Sequence, residues 1–139
     1  MAAPQHSQAN EDRPFNNLLR RLSEADYRLI EPCLIAITAE SDDLLYNPGD
    51  NVETVHFPCA ASLTSFLVPN EDGRDAETIL VGREGAVGGI VSHGFLPAYT
   101  RITVKVGGPF VRLRIAALEA AQAKSQSLRN LFSRYADCM

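Results

Sequence analysis

The sequence predicts a mainly β fold, a small barrel or sandwich with helices at both ends. Three stretches carry that prediction. Leu44–Pro58 reads as two short strands around Asn47-Pro48-Gly49-Asp50, where Pro48 presets φ and Gly49 supplies a positive φ. Asp72-Gly73 between two apolar runs is a hairpin signal of the type I′ kind. Gly82–Gly89 is a glycine-rich corner. A chain that turns this often between short β-rich runs wraps a closed or two-layered sheet.

Residues 1–13 are polar and lack the apolar content to order themselves, so they read as a flexible arm. From Pro14 the period is helical: Phe15, Leu18, Leu19 and Leu22 form one stripe. Ser23, followed by Glu24 and Asp26, predicts the N-cap of a second helix that Pro32 ends. Strands are predicted from Cys33–Ile37, Val52–Phe57, Ser62–Val68, Ala76–Val81, Tyr99–Val106 and Phe110–Ile115. Within Tyr99–Val106, Arg101, Thr103 and Lys105 alternate with Ile102, Val104 and Val106, as in a half-buried strand. Leu44–Tyr46 reads as a further short run, and the outline is helix–helix, roughly eight short strands, then helix–helix. Ala116–Lys124 is made of strong helix formers. Ser125 or Ser127 then caps a last helix with Leu128, Leu131, Phe132 and Tyr135 on one stripe. That stripe runs on almost to Met139 with no C-cap glycine, and the expectation is a helix that continues in a longer protein.

The 139 residues bound this to one domain, with 45% hydrophobic and 22% charged residues, ordinary for a soluble globular chain. The net charge of −4 argues against a self-sufficient nucleic-acid binder. Cys33, Cys59 and Cys138 have no C-x-x-C spacing and read as reduced thiols in the cytoplasm, Cys33 and Cys59 as small buried apolar residues. The polar N-terminus is no signal peptide, and no apolar run approaches a membrane span.

With that outline, the order Asn17-Leu18-Leu19, Asp26, Leu45-Tyr46-x-Pro48-Gly49-Asp50, Val55-x-Phe57-Pro58, Ser62-Leu63, Asp72-Gly73, Glu77, Val81-Gly82-Arg83-Glu84-Gly85, Val87-Gly88, Arg101, Leu118, Ser127-Leu128, Arg134-Tyr135 resembles the sensor domain of Crp/Fnr-type bacterial transcription regulators. The resemblance covers about residues 15–139 and implies a cyclic-nucleotide-binding-type jelly roll, a double-stranded β-helix with flanking α-helices. It implies three parts: the arm at 1–13, the roll at 14–125, and the start of a dimerisation helix at 126–139, with a DNA-binding domain beyond it. The function implied is effector sensing without enzymatic activity. A small effector would bind at Val87, Gly88, Gly89, Ile90, Val91, Thr100, Arg101 and Thr103, and Leu128, Leu131, Phe132 and Tyr135 would form the homodimer seam. The partners implied are that effector, a second copy, and DNA through the further domain.

The sequence also departs from the family pattern. Cyclic-nucleotide cassettes follow their glycine with Glu, which takes the ribose hydroxyl, and set Arg-Ser/Thr-Ala about ten residues later for the cyclic phosphate. Here Gly89 follows Gly88, and the arginine stands in Thr100-Arg101-Ile102. Arg101 beside a glycine-rich turn can still bind an anion through paired N–H donors, so a cyclic nucleotide stays the less favoured candidate and no cofactor is assigned.

Other chemistries find less support. Gly82–Gly89 is neither a P-loop nor a dinucleotide fingerprint, and tight backbone geometry at a corner explains it; Arg83 and Glu84 read as a solvated turn pair. His6, His56 and His93 lack the i, i+2 pairing that a cupin-type metalloenzyme would use, so that alternative has no metal set in the sequence, and neither Cys33 nor Cys59 has a nucleophile context. A second alternative is a degenerate roll that serves only dimerisation.

Overall fold

A computed structural model of the chain describes residues 13–47, 53–69, 71–88 and 101–138. Asn16 opens the fold as an N-cap: its Oδ1 accepts from the Leu18 and Leu19 amides at 3.0 and 3.2 Å, which fixes helix α1 at Asn17–Arg21. The helix thus starts after Phe15. That side chain falls off the predicted stripe, stays 42% exposed, and lies under the guanidinium groups of Arg20 and Arg83. Ser23 caps α2, Glu24–Ile30, as expected, its Oγ accepting from the Asp26 amide. A single 3₁₀ turn, Glu31–Cys33, follows α2 and carries Pro32 near its start, where a missing N–H costs nothing. It leaves Cys33 exposed, against the expectation of a buried thiol, whereas Cys59 is buried.

Seven strands follow among the described residues: β1 Ile35–Ala39, β2 Leu44–Tyr46, β3 Thr54–Pro58, β4 Leu63–Pro69, β5 Asp75–Val81, β6 Arg101–Val106 and β7 Gly108–Arg114. They pair antiparallel in two sheets, one of order β1-β7-β3 and one of order β2-β6-β4-β5. Gly73 supplies a positive φ, +79°, between β4 and β5, but Asp72 does not, and Pro69 pairs with Asp75, so the hairpin is wider than the two-residue type I′ turn expected. The Pro48-Gly49 turn lies outside the described residues. Helices α3, Ile115–Lys124, and α4, Gln126–Cys138, complete the chain. No helix among the described residues is long and apolar enough to cross a membrane.

Two apolar layers hold this together. Val55, Phe57, Val111 and Leu113 turn one face of the three-stranded sheet to Leu18, Leu19, Ile30, Leu118, Leu128 and Phe132 of the helices. Its other face meets the four-stranded sheet, where Phe110 and Ala39 pack with Val104, and Tyr46 and Val81 with Val87 and Ile102. Strand β3 is therefore covered on both sides, which explains why Val55 to Pro58 are buried without alternation.

Candidate functional site

The glycine-rich corner is the point where most of these elements meet. Asn16 Nδ2 donates to the Gly85 and Pro58 carbonyls, both at 2.8 Å, and the Asn17 amide donates to the Arg83 carbonyl at 2.7 Å. Val87 exchanges two backbone hydrogen bonds with His56 of β3, each 2.9 Å. Tyr135, on α4, donates its hydroxyl to the Ala86 carbonyl at 3.1 Å and accepts from the Ala86 amide at 3.0 Å. Two glycines are required by this crowding. A Cβ at Gly85 would fall 2.1 Å from Tyr135 Oη, and one at Gly88, where φ is +120°, would fall 2.6 Å from the Thr54 carbonyl oxygen. The expectation of tight backbone geometry at a corner describes the described part, Gly82–Gly88.

Behind the corner lies a buried polar pair between the sheets. The Tyr46 hydroxyl donates to the Thr54 carbonyl and lies 2.9 Å from His56 Nδ1, with the two rings edge to face. Burial, with the Arg112 charge adding to it, pushes the His56 imidazole down to about 4, and burial raises the Tyr46 hydroxyl. Both groups are neutral near pH 7.

The three-stranded sheet extends this pair into a row. His56 is in register with Arg112 of β7, which is in register with Ile35 of β1. One step along, Thr54 faces Arg114. Cross-strand neighbours share a face, so these residues lie on the side turned to the other sheet.

The expected effector residues do not gather on one face. Val87 and Gly88 are buried beside His56 and Tyr46. Arg101 and Thr103 alternate with the inward Ile102 and Val104 and so stand on the outer face of the four-stranded sheet. There Arg101 pairs with Asp75 at 2.9 Å, and Lys105 with Glu77 at 2.5 Å, which together with the Ser65 hydroxyl holds the Glu77 carboxyl below the usual range. A guanidinium already engaged on the outside is poorly placed to grip an effector beside Val87. Gly89, Ile90, Val91 and Thr100 lie outside the described residues.

The stripe expected at a homodimer seam is engaged within the chain. Leu128 and Phe132 are buried in the helix-side core, Phe132 edge to face with Phe57, and Leu131 and Tyr135 pack against it half-buried. The boundary expected at 125/126 falls inside this packing unit. The cause is an anchor at the start of α4: buried Asp26 accepts from Ser125 Oγ at 2.5 Å and from Ser127 Oγ at 2.6 Å. Burial would raise the Asp26 carboxyl, but hydrogen bonds from Ser125, Ser127 and Ser23 outweigh it and hold the carboxyl below the ordinary value. Ser125 Oγ also accepts from the Leu128 amide, so Ser125 is the cap.

A groove of about 520 Å³ opens elsewhere, between Arg13–Phe15, β1, β7 and Cys59. Its polar groups are engaged: Arg13 donates to the Leu19 and Leu22 carbonyls, and burial pushes the Cys59 thiol up to about 11. Among the described residues, no three His, Cys, Asp or Glu side chains converge as metal ligands would.

No family model matches the sequence, and no curated protein matches it. Solved structures match the fold. The N-terminal domain of a transcriptional regulator from Streptomyces coelicolor A3(2) superposes with a TM-score of 0.65 at 16% identity, over 86% of this chain and 82% of that one. The catabolite activator protein of Thermus thermophilus gives 0.67 at 10% identity, over 85% of this chain and 55% of its own. A putative cyclic nucleotide-binding protein from Geobacter metallireducens GS-15 gives 0.70 at 7% identity, over 88% of each chain. The chain thus spans about half the length of the Thermus regulator and most of the other two. The architecture of two antiparallel sheets, one of them covered by the helices, is accordingly the β-roll of cyclic-nucleotide-binding domains and of the N-terminal domains of Crp/Fnr-type regulators.

Proposed function

We propose that this chain is the effector-sensing domain of a Crp/Fnr-type transcription regulator, without enzymatic activity of its own. A small molecule binds inside the roll, next to Val87 and Gly88, and its presence is relayed through α4 to a DNA-binding domain. The observation that supports this most is the span of the corner. Within three residues it touches the roll interior through Val87 and Gly88, against His56 and Tyr46, and the terminal helix through Ala86, against Tyr135. A ligand that displaces the corner changes the seating of Tyr135. Released from Ala86, Tyr135 and the end of the stripe at the last turn of α4 are free to pair with a second copy, so effector and dimer seam are linked by a population shift.

Hydrogen exchange tests this. Cyclic AMP, cyclic GMP and simple nucleotides are titrated calorimetrically, and the exchange of the Ala86 amide is followed at saturation. A changed Ala86 protection on binding is the expected result. Binding with unchanged protection there refutes the relay, and flat heats throughout refute nucleotide sensing.

A further inference from the structure

The cations of this protein are treated differently on the two sheets. On the outer face of the four-stranded sheet, Arg101 and Lys105 are both neutralised, by Asp75 and Glu77. On the inner face of the three-stranded sheet, Arg112 and Arg114 are exposed and form no ion pair among the described residues. They sit two positions apart on β7, about 7 Å along the strand, and so aim at one region. Beside Arg112 on β1, Ile35 is 50% exposed, a large apolar surface left open on a face whose next row, Ile37 and Phe110, is packed. Two unneutralised guanidinium groups next to an open apolar shelf, in a chain of net charge −4, are a local arrangement and not part of a general basic surface.

We infer that the inner face of the three-stranded sheet binds a small organic oxyanion, a phosphate ester or a carboxylate, held by Arg112 and Arg114 with its apolar part on Ile35. The guanidinium fork matches either group through paired N–H donors. Thr54 and His56, in register with the two arginines, form the neighbouring wall, and Val87 and Gly88 lie directly behind His56. The inference rests on the reading of the roll as an effector site and moves the anion grip from Arg101 to β7.

The test titrates the chain with phenyl phosphate, benzoate and cyclic AMP, by calorimetry and by amide shifts of Ile35, Thr54, Arg112 and Arg114. Binding of phenyl phosphate or benzoate is expected, and which of the two binds more tightly identifies the oxyanion. Arg112→Gln or Arg114→Gln is expected to weaken binding at least tenfold, Arg112→Lys to weaken it less, and Arg101→Gln to change it less than twofold. The arginines are exposed, so thermal midpoints of these variants stay near wild type and loss of binding is not loss of fold. Binding that survives both glutamine substitutions overturns the β7 grip but leaves an effector site in the roll. Absence of binding by all three probes overturns both.

Discussion

Gly85→Ala tests whether α4 is seated as described. Gly85 is not in the left-handed region, so the backbone accepts alanine without strain; the obstacle is the side chain opposite. The new methyl would lie 2.1 Å from Tyr135 Oη and 2.7 Å from its Cζ, and Tyr135 must leave. Leaving loses two hydrogen bonds to the buried Ala86, at about 0.5–1.5 kcal/mol each. It also loses about half the burial of a large side chain, on the order of 1 kcal/mol. Against this, alanine restricts the unfolded chain and returns roughly 0.4–1 kcal/mol. The net expectation is a loss of about 2 kcal/mol.

The same substitution made in a Tyr135→Ala background meets no obstacle and becomes neutral or slightly stabilising. Urea unfolding of the four proteins closes the cycle, with an expected coupling of about 2–3 kcal/mol. Equal cost in both backgrounds would place the collision elsewhere than Tyr135. No cost in the wild type would mean that the hydroxyl does not occupy the corner, and the relay would lose its contact. Burial, with Glu84 adding to it, keeps the Tyr135 hydroxyl protonated well above neutral pH, so the cycle gives the same answer from pH 6 to 8.

Two other perturbations separate the corner from the pair behind it. Gly88→Ala is expected to cost more than about 3 kcal/mol and to resist rescue by Tyr46→Phe, because the nearest atom is the Thr54 carbonyl oxygen of the backbone and φ is +120°; urea unfolding of single and double variants reads this. For His56, the folded-state pKa of about 4 lies below the ordinary value of 6.5, so the unfolded chain binds the extra proton between those limits. Stability is therefore complete above pH 6.5 and falls as pH drops to about 4, by about 3 kcal/mol, and His56→Gln removes that part of the acid slope. An imidazole titrating near 6.5 in the folded protein, by NMR, would contradict its burial against Tyr46.

What the sequence made legible was local. The Asp72-Gly73 hairpin and the Ser23 and Ser125 caps depend on one or two residues and their neighbours, and all three stand where those residues put them, although the hairpin is not the two-residue type I′ turn. The first helix misled by one turn, since the periodicity of Phe15 with Leu18 and Leu19 ignored that Asn16 is a better cap than a helix interior residue. Arg101 was readable in part. Alternation along Tyr99–Val106 already put it on the face opposite Ile102, and the structure adds its Asp75 partner, which comes from 26 residues away. The row Ile35–Arg112–His56 needs the register of three strands, and the contact of Tyr135 with Ala86 joins residues 49 apart. No spacing rule reaches such pairs; only the folded topology creates them.

The energies also limit how a signal can leave the roll. Leu128 and Phe132 are buried among Phe57, Leu118 and the α1 leucines, and truncating either would cost on the order of 3–5 kcal/mol. The Asp26 anchor adds two short hydrogen bonds to a carboxylate at the start of α4. An effector supplies only its differential affinity for two states, and 5.5 kcal/mol of it is needed to carry an equilibrium from about 1:99 to 99:1. That is less than the combined hold of Leu128, Phe132 and Asp26, but more than the roughly 2–3 kcal/mol that keeps Tyr135 on Ala86. On the proposed reading, then, effector binding cannot lift α4 off the roll as a unit. It can free the segment beyond Phe132, which makes the last turn of α4 the moving part and Phe132 its pivot.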